Sequence, residues 1–222
     1  MVDSKVKTWD DTKWQGYGLL AGVVFVIAQV VSIAVTGQPP ARDASAEKIA
    51  EYFVKNDSGI KLSGILFGFS LIFGLLFLGS LWRVISHLES KGPRLAFVAA
   101  VGFVMSGLFA GGAQVMFIAP ALRVDTLSGA GEFAWAVGYV GFAFALAAIS
   151  AHMLAICALT MRSGFLPSWT GWIAALGALV SAVGVVAAGT ESAAFTTIGL
   201  IGFALWLLWT LIASVLLFKR NT

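Results

Sequence analysis

Residues 62–81 read LSGILFGFSLIFGLLFLGSL, a stretch without a single charge, bounded by Lys61 on one side and Trp82-Arg83 on the other. At about 1.5 Å per helical residue, such a run crosses the roughly 30 Å hydrocarbon core of a bilayer. Backbone in hydrocarbon has to satisfy its own polar groups, which makes this segment a transmembrane helix. Five more runs share its character. With this one at about 61–82, the predicted spans are about 16–36, 61–82, 95–119, 133–161, 168–188 and 193–218. Each stops at a proline, a glycine or a charged cluster, as an apolar helix should. The expected fold is therefore all-α: one polytopic transmembrane bundle of six helices, occupying residues 1–222 as a single domain.

Composition agrees. Hydrophobic residues make up 59% of the 222 residues and charged residues only 11%, with a mean hydropathy of +0.92. A soluble domain carries about twice that charge fraction. The net charge of +3 does not point to nucleic acid, because the cations sit at membrane flanks, where they set orientation. Cys157 is the only cysteine, so no internal disulfide forms and the redox compartment is not indicated. Residues 1–15 are polar, with Asp3, Lys5, Lys7, Asp10, Asp11 and Lys13. The apolar run after them is too long for a signal-peptide core and reads as a retained first helix.

Orientation follows from lysine and arginine. Of the 14 such residues, nine (Lys5, Lys7, Lys13, Arg83, Lys91, Arg94, Arg162, Lys219, Arg220) fall on the side of the two chain ends, and five (Arg42, Lys48, Lys55, Lys61, Arg123) on the other. Both termini are predicted to be cytoplasmic, in the inner (plasma) membrane of a cell. Asp43, Glu47, Glu51, Asp57, Asp125, Glu132 and Glu191 all fall on the outer side. Trp14, Trp82 and Trp169 at inner boundaries, and Trp135 at an outer one, read as interfacial indoles.

The first outer loop carries a short amphipathic helix. Asp43 or Ser45 can cap it, and Ile49, Tyr52 and Phe53 fall on one face against Glu47, Lys48, Glu51 and Lys55. It either lies on the membrane surface or packs over the bundle; a third reading makes it a lid over a cavity. A faint repeat is also present. Phe97-Val98-Ala99-Ala100-Val101-Gly102 with Ser106 matches Trp172-Ile173-Ala174-Ala175-Leu176-Gly177 with Ser181, consistent with a duplicated hairpin or with chance in a small apolar alphabet.

No acidic or basic residue falls well inside a predicted span, which argues against ion-coupled transport through a buried carboxylate and against voltage sensing. His152 is the one ionisable side chain deep in a span. Ten residues before Arg162, it lies about 15 Å from the inner boundary, near mid-membrane. It is either a functional group or a neutral imidazole bonded to a neighbouring helix. Ser106 has a similar depth on the preceding span, so a His152–Ser106 hydrogen bond is expected to be possible. As chemistry it would be a Ser–His dyad; as structure it is ordinary interhelical glue.

Haem would need two axial ligands. His87 lies too near the boundary to pair with His152, and Met105 or Met116 is not spaced for it. Met153, Cys157 and Met161 share one helix face and suit Cu(I), although such residues are routine core packing. No cofactor and no metal is expected. Gly64 with Gly68, and Gly107 with Gly111, let helices approach closely, or leave room for a ligand or lipid tail. Trp206 and Trp209 in the last span, together with His152 and Gln114, are the candidate lining of such a space.

The inner-loop stretch Leu166-Pro167-Ser168-Trp169-Thr170-Gly171-Trp172 entering a helix resembles one found in uncharacterised six-helix integral membrane proteins, mainly actinobacterial. Ala46–Phe53 and the Leu81-Trp82-Arg83 end of span two are similar as well. These are boundary anchors, so the resemblance implies topology and a bacterial source, and no reaction. Function is read as a non-catalytic accessory or scaffold subunit that binds membrane lipid, another membrane protein or its own copies. The alternatives are a carrier of a small apolar molecule and an intramembrane enzyme using His152 and Ser106. Orientation is directly testable. In a Cys157→Ser background, Ser90→Cys should react with a membrane-impermeant thiol reagent only in inverted vesicles and Ala44→Cys only in intact cells; the opposite pattern would reverse the topology.

Overall fold

The computed structural model describes residues 12–123, 130–190 and 192–221. Seven α-helices follow in chain order: α1 Thr12–Ala34, α2 Ala46–Lys55, α3 Asp57–Ile85, α4 Arg94–Ala121, α5 Ala130–Ser163, α6 Ser168–Gly184 and α7 Ala193–Asn221. Residues 185–189 prolong α6 by a 3-10 turn. All helices except α2 are long and apolar enough to cross a membrane, and the predicted spans fall within a few residues of them. The first ends at Ala34 rather than 36, and α4 runs one residue past Pro120, which sits in its last turn. Charged residues of the long helices are confined to their terminal turns, as in the 2.7 Å ion pair of Asp57 with Lys61 at the start of α3. Lys5, Lys7, Asp3, Asp10, Asp11, Asp125 and Glu191 lie outside the described residues.

The long helices form a ring in the order α1, α3, α4, α5, α6, α7, with α7 closing back on α1. Tail packing gains nothing from the hydrophobic effect in a bilayer, so helices associate where small residues and polar side chains allow it. Three seams show this. Between α1 and α3, Gln15 donates to the Ser80 carbonyl at 2.9 Å, Gln29 to the Ser70 hydroxyl at 2.9 Å, and Ser32 pairs with Ser63 at 2.9 Å. Between α6 and α7, a Cβ on Gly184 would stand 2.5 Å from the Gly199 Cα, so the hairpin is backbone against backbone. Between α4 and α5, a Cβ on Gly102 would lie 2.9 Å from both the Ala148 carbonyl and the His152 nitrogen.

The proposed repeat shows matching burial. Ala99 and Ala174, Gly102 and Gly177, and Ser106 and Ser181 are all buried, while Phe97 and Trp172 point outward. Both segments pack against α5. At the turn after α5, Gly164 takes φ +64°, a left-handed value that favours glycine.

The amphipathic helix α2 packs over the end of the bundle. Ser45 stands at its N-cap in an extended conformation, without a capping bond from its side chain. Ile49, Tyr52 and Phe53 are buried with Ile60, Ala121 and Trp135. Trp135 is thereby not an interfacial indole but a core residue, 2% exposed, because α2 covers it.

The close approach at Gly102 sets a test. Its neighbours are backbone atoms that cannot yield alone, so Gly102→Ala should destabilise the bundle by about 1–3 kcal/mol. A Cβ at Gly79 meets nothing within 4 Å, so Gly79→Ala should be neutral or stabilising by up to about 1 kcal/mol. Unfolding titrations in detergent micelles would measure both.

Candidate functional site: a lateral groove and a roofed chamber

The α3–α4 seam differs from the others. Here the helices stand apart around a space of about 590 Å³, lined by Gly64, Gly68, Gly74, Gly107, Gly111 and Gly112, with Phe67, Leu71, Phe103, Phe203 and Trp206 behind them. Added Cβ atoms at Gly68 and Gly112 would meet nothing within 4 Å, and at Gly107 and Gly111 only side-chain atoms at 3.4 and 3.6 Å. Gly68, Gly107, Gly111 and Gly112 thus make room rather than contact, whereas Gly64 marks a close approach, since a Cβ there would run into the Ile118 Cδ1. Leu75, Val104, Leu108 and Val115 also line the space and are exposed on the outer surface of the bundle. The groove therefore opens sideways, toward the hydrocarbon of a surrounding membrane.

A second space of about 230 Å³ lies beneath α2. Its walls include Phe117, Trp135, Tyr139 and Phe142, with Tyr52 contributed by α2. Trp135 is the hub of this aromatic wall, with ring centroids 5.6 Å from Tyr52, 5.4 Å from Phe117 and 5.2 Å from Tyr139. The Tyr52 hydroxyl donates to the Thr36 carbonyl at 3.1 Å, tying α2 to the end of α1. Burial holds the Tyr52 phenol above its ordinary range, against a smaller opposing effect of the Thr36 bond, so it stays a neutral donor. Arg42, in the loop before α2, donates to the Ala187 carbonyl and sits over the Tyr139 ring, 5.6 Å from its centroid.

Gln29, Phe67, Ala110, Gln114 and Phe203 line both spaces, which therefore meet. The polar residues at the junction are already organised. Gln114 donates to the Ser63 hydroxyl at 2.9 Å, and Ser63 is paired with Ser32. Gln29, 5% exposed, donates to Ser70, which donates in turn to the Phe67 carbonyl at 2.6 Å. Each glutamine uses an amide N–H this way; no hydrogen bond to either amide oxygen is seen among the described residues. Among the described residues, no charged side chain lines either space.

Of the candidates from the sequence, Gln114, Trp206 and Ser106 line the groove; His152 and Trp209 do not. His152 is fully buried, and its Nδ1 stands 2.7 Å from the Ala99 carbonyl. A carbonyl only accepts, so Nδ1 carries the proton and Nε2 bears the lone pair. Nε2 has no hydrogen-bond partner and is shielded by the Phe103 and Trp209 rings, whose centroids lie 5.6 and 5.7 Å from that of the imidazole. Ser106 does not bond to His152: its hydroxyl donates to the Phe103 carbonyl of its own helix at 2.7 Å. The two residues do not form the dyad.

Met153, Cys157 and Met161 do not share one environment either. Met153 is in the core and would be 2.7 Å from a Cβ on Gly177, whereas Met161 reaches the surface beside Gly171, with its Cε 3.0 Å from a Cβ there. The stripe fills the glycine notches of α6. Gln29, Ser32, Ser63 and Ser70 were not singled out from the sequence. Their signal was available: uncharged polar residues at mid-helix positions in runs that are otherwise apolar.

No protein-family model, no curated protein and no solved structure matches the chain. Fold and site together define the class: a multi-pass integral membrane protein with a side-opening cavity.

The placement of His152 predicts a structural phenotype. His152→Ala removes a buried ring and its interhelical bond and should cost about 2–4 kcal/mol. Ser106→Ala, whose bond is local, should cost under about 1 kcal/mol. Equal, large losses in both variants, measured by detergent unfolding, would indicate that the two residues act as a pair.

Proposed function

We propose that this protein is a non-catalytic membrane protein that binds a lipid in the groove between α3 and α4. The observation that supports this reading is the groove itself. The groove is half open along the bundle surface, where Leu75, Val104, Leu108 and Val115 are exposed, so in a bilayer it is in direct reach of acyl chains. It opens onto hydrocarbon and its walls are apolar and glycine-lined, so an alkyl chain entering from the side fits it. Its size lies within the usual range for small-molecule sites. Residence in the plasma membrane with both termini cytoplasmic belongs to the same reading and rests on the lysine and arginine distribution.

The second reading is a carrier of a small apolar molecule, and one observation favours it: the groove continues into the chamber beneath α2, so an occupant has somewhere to go. The accessory-subunit role, with another membrane protein or a second copy as partner, is compatible with both.

Filling the groove tests the lipid reading. Gly68→Leu and Gly112→Leu place side chains where a Cβ meets no atom, so both variants should fold. The double variant should retain less than about a fifth of the lipid that co-purifies with the wild-type chain in mild detergent, scored by native mass spectrometry. Undiminished lipid in a folded double variant would overturn the reading.

A further inference from the structure

The groove and the chamber differ in chemistry, and the difference specifies an occupant. Along the groove, the polar side chains among the described residues are Gln29, Ser106, Gln114 and the indole of Trp206. The chamber adds hydroxyls from Ser32, Thr36, Tyr52, Ser63, Tyr139 and Thr196, all uncharged. Resting on the lipid-binding reading, we infer that the bound lipid has an uncharged, hydrogen-bonding head seated in the chamber beneath α2, with its hydrocarbon chain in the groove.

Three observations converge on this. The first is charge. Among the described residues, neither space is lined by an acidic, basic or histidine side chain, and a phosphate or ammonium head buried there would find no counter-ion among them. The nearby cation, Arg42, is engaged with the Ala187 carbonyl and stacked on the outer part of the aromatic wall at Tyr139. The second is unused hydrogen-bonding capacity. The amide oxygens of Gln29 and Gln114 receive no bond among the described residues, and neither does the Tyr139 hydroxyl. Trp135, which lines the chamber, keeps its indole N–H buried without a partner. These groups include both acceptors and donors, which match a head carrying hydroxyl and carbonyl groups. The third is size. At about 30 Å³ per water, 230 Å³ holds some seven or eight waters, the bulk of a glycerol ester head rather than of a sugar chain. The aromatic walls suit the apolar faces of such a head.

The helix α2 is then the cover of a head-group site. Tyr52 belongs to α2 and lines the chamber, so α2 covers part of the head, while the half-exposed Ile33 and Leu200 leave a side opening between α1 and α7 and the chain can leave through the groove.

The test is a competition in nanodiscs of zwitterionic lipid, read by native mass spectrometry on the full chain. Three probes share an 18-carbon chain: dioleoylglycerol, dioleoyl phosphatidic acid and octadecene. The wild-type protein should retain dioleoylglycerol at least tenfold over phosphatidic acid. Tyr139→Phe, which keeps the ring, and Gln114→Leu, which keeps the bulk, should each cut the preference for dioleoylglycerol at least threefold and leave octadecene unchanged. Should Gln114→Leu fail to fold, Tyr139→Phe carries the test alone. Equal retention of all three probes, or a preference for phosphatidic acid, would overturn the head-group inference and leave lipid binding standing. Retention of none would remove the lipid-binding reading itself.

Discussion

The contact on which the rest of this bundle depends is the meeting of α4 and α5, where Gly102 brings two backbones together and His152 donates to the Ala99 carbonyl at 2.7 Å. Both features are needed. Without a side chain at 102 the helices can approach, and with the imidazole bond their register is set. A single interhelical bond of this kind contributes about 0.6 kcal/mol on average in membrane proteins, so its weight lies in specificity rather than in total stability. With α4 held against α5, and α3 zipped to α1 by Gln15, Gln29 and Ser32, α3 and α4 meet where Gln114 donates to the Ser63 hydroxyl and Ile118 packs on Gly64, and stand apart along the rest of their length. The groove is the gap that this arrangement leaves.

The same residue type has opposite effects on either side of α4. Gly102 removes a side chain where the neighbouring backbone is waiting, and the seam closes. Gly68 and Gly112 remove side chains where nothing stands within 4 Å, and the seam opens. Spacing along one helix cannot distinguish the two cases, because what matters is the opposing surface. That is why Gly64 with Gly68, and Gly107 with Gly111, were legible as small-residue faces without revealing which kind they are. The six spans were legible because hydrocarbon imposes length and apolarity on each segment independently. The α2 helix was legible from its one-sided pattern, but its landing place was not, since Ile49, Tyr52 and Phe53 suit a lipid surface as well as Trp135.

The candidate site divides along a similar line. Gln114 and Trp206 line the groove, while His152 and Trp209 face a different part of the interior. Trp206 and Trp209 lie less than a turn apart, yet the first looks onto the groove and the second packs on the imidazole. His152 is the one ionisable group deep in a span, yet it lines neither the groove nor the chamber: Ala99 takes the bond from its Nδ1, and its Nε2 is buried without a partner among the described residues. The residues that organise the cavity, Gln29, Ser32, Ser63 and Ser70, carry no charge and so left no mark on an argument built on buried charge.

Uncharged polarity is also what would make the chamber selective for the uncharged head inferred for its lipid. A buried charge would have to be balanced by the protein or carried in by the ligand, and in a low-dielectric interior the mismatch is punished heavily. Amides and hydroxyls already bonded to each other tolerate an empty or wet site, because Ser63 keeps its partners in Ser32 and Gln114. They also tolerate an occupant, because each glutamine has used one amide N–H and retains its acceptor oxygen. Tyr52 extends this to the cover: as a neutral phenol bonded to the Thr36 carbonyl, it presents hydrogen-bonding capacity without charge. The roof, the wall and the floor of the chamber therefore share one uncharged polar character, although they come from six different helices.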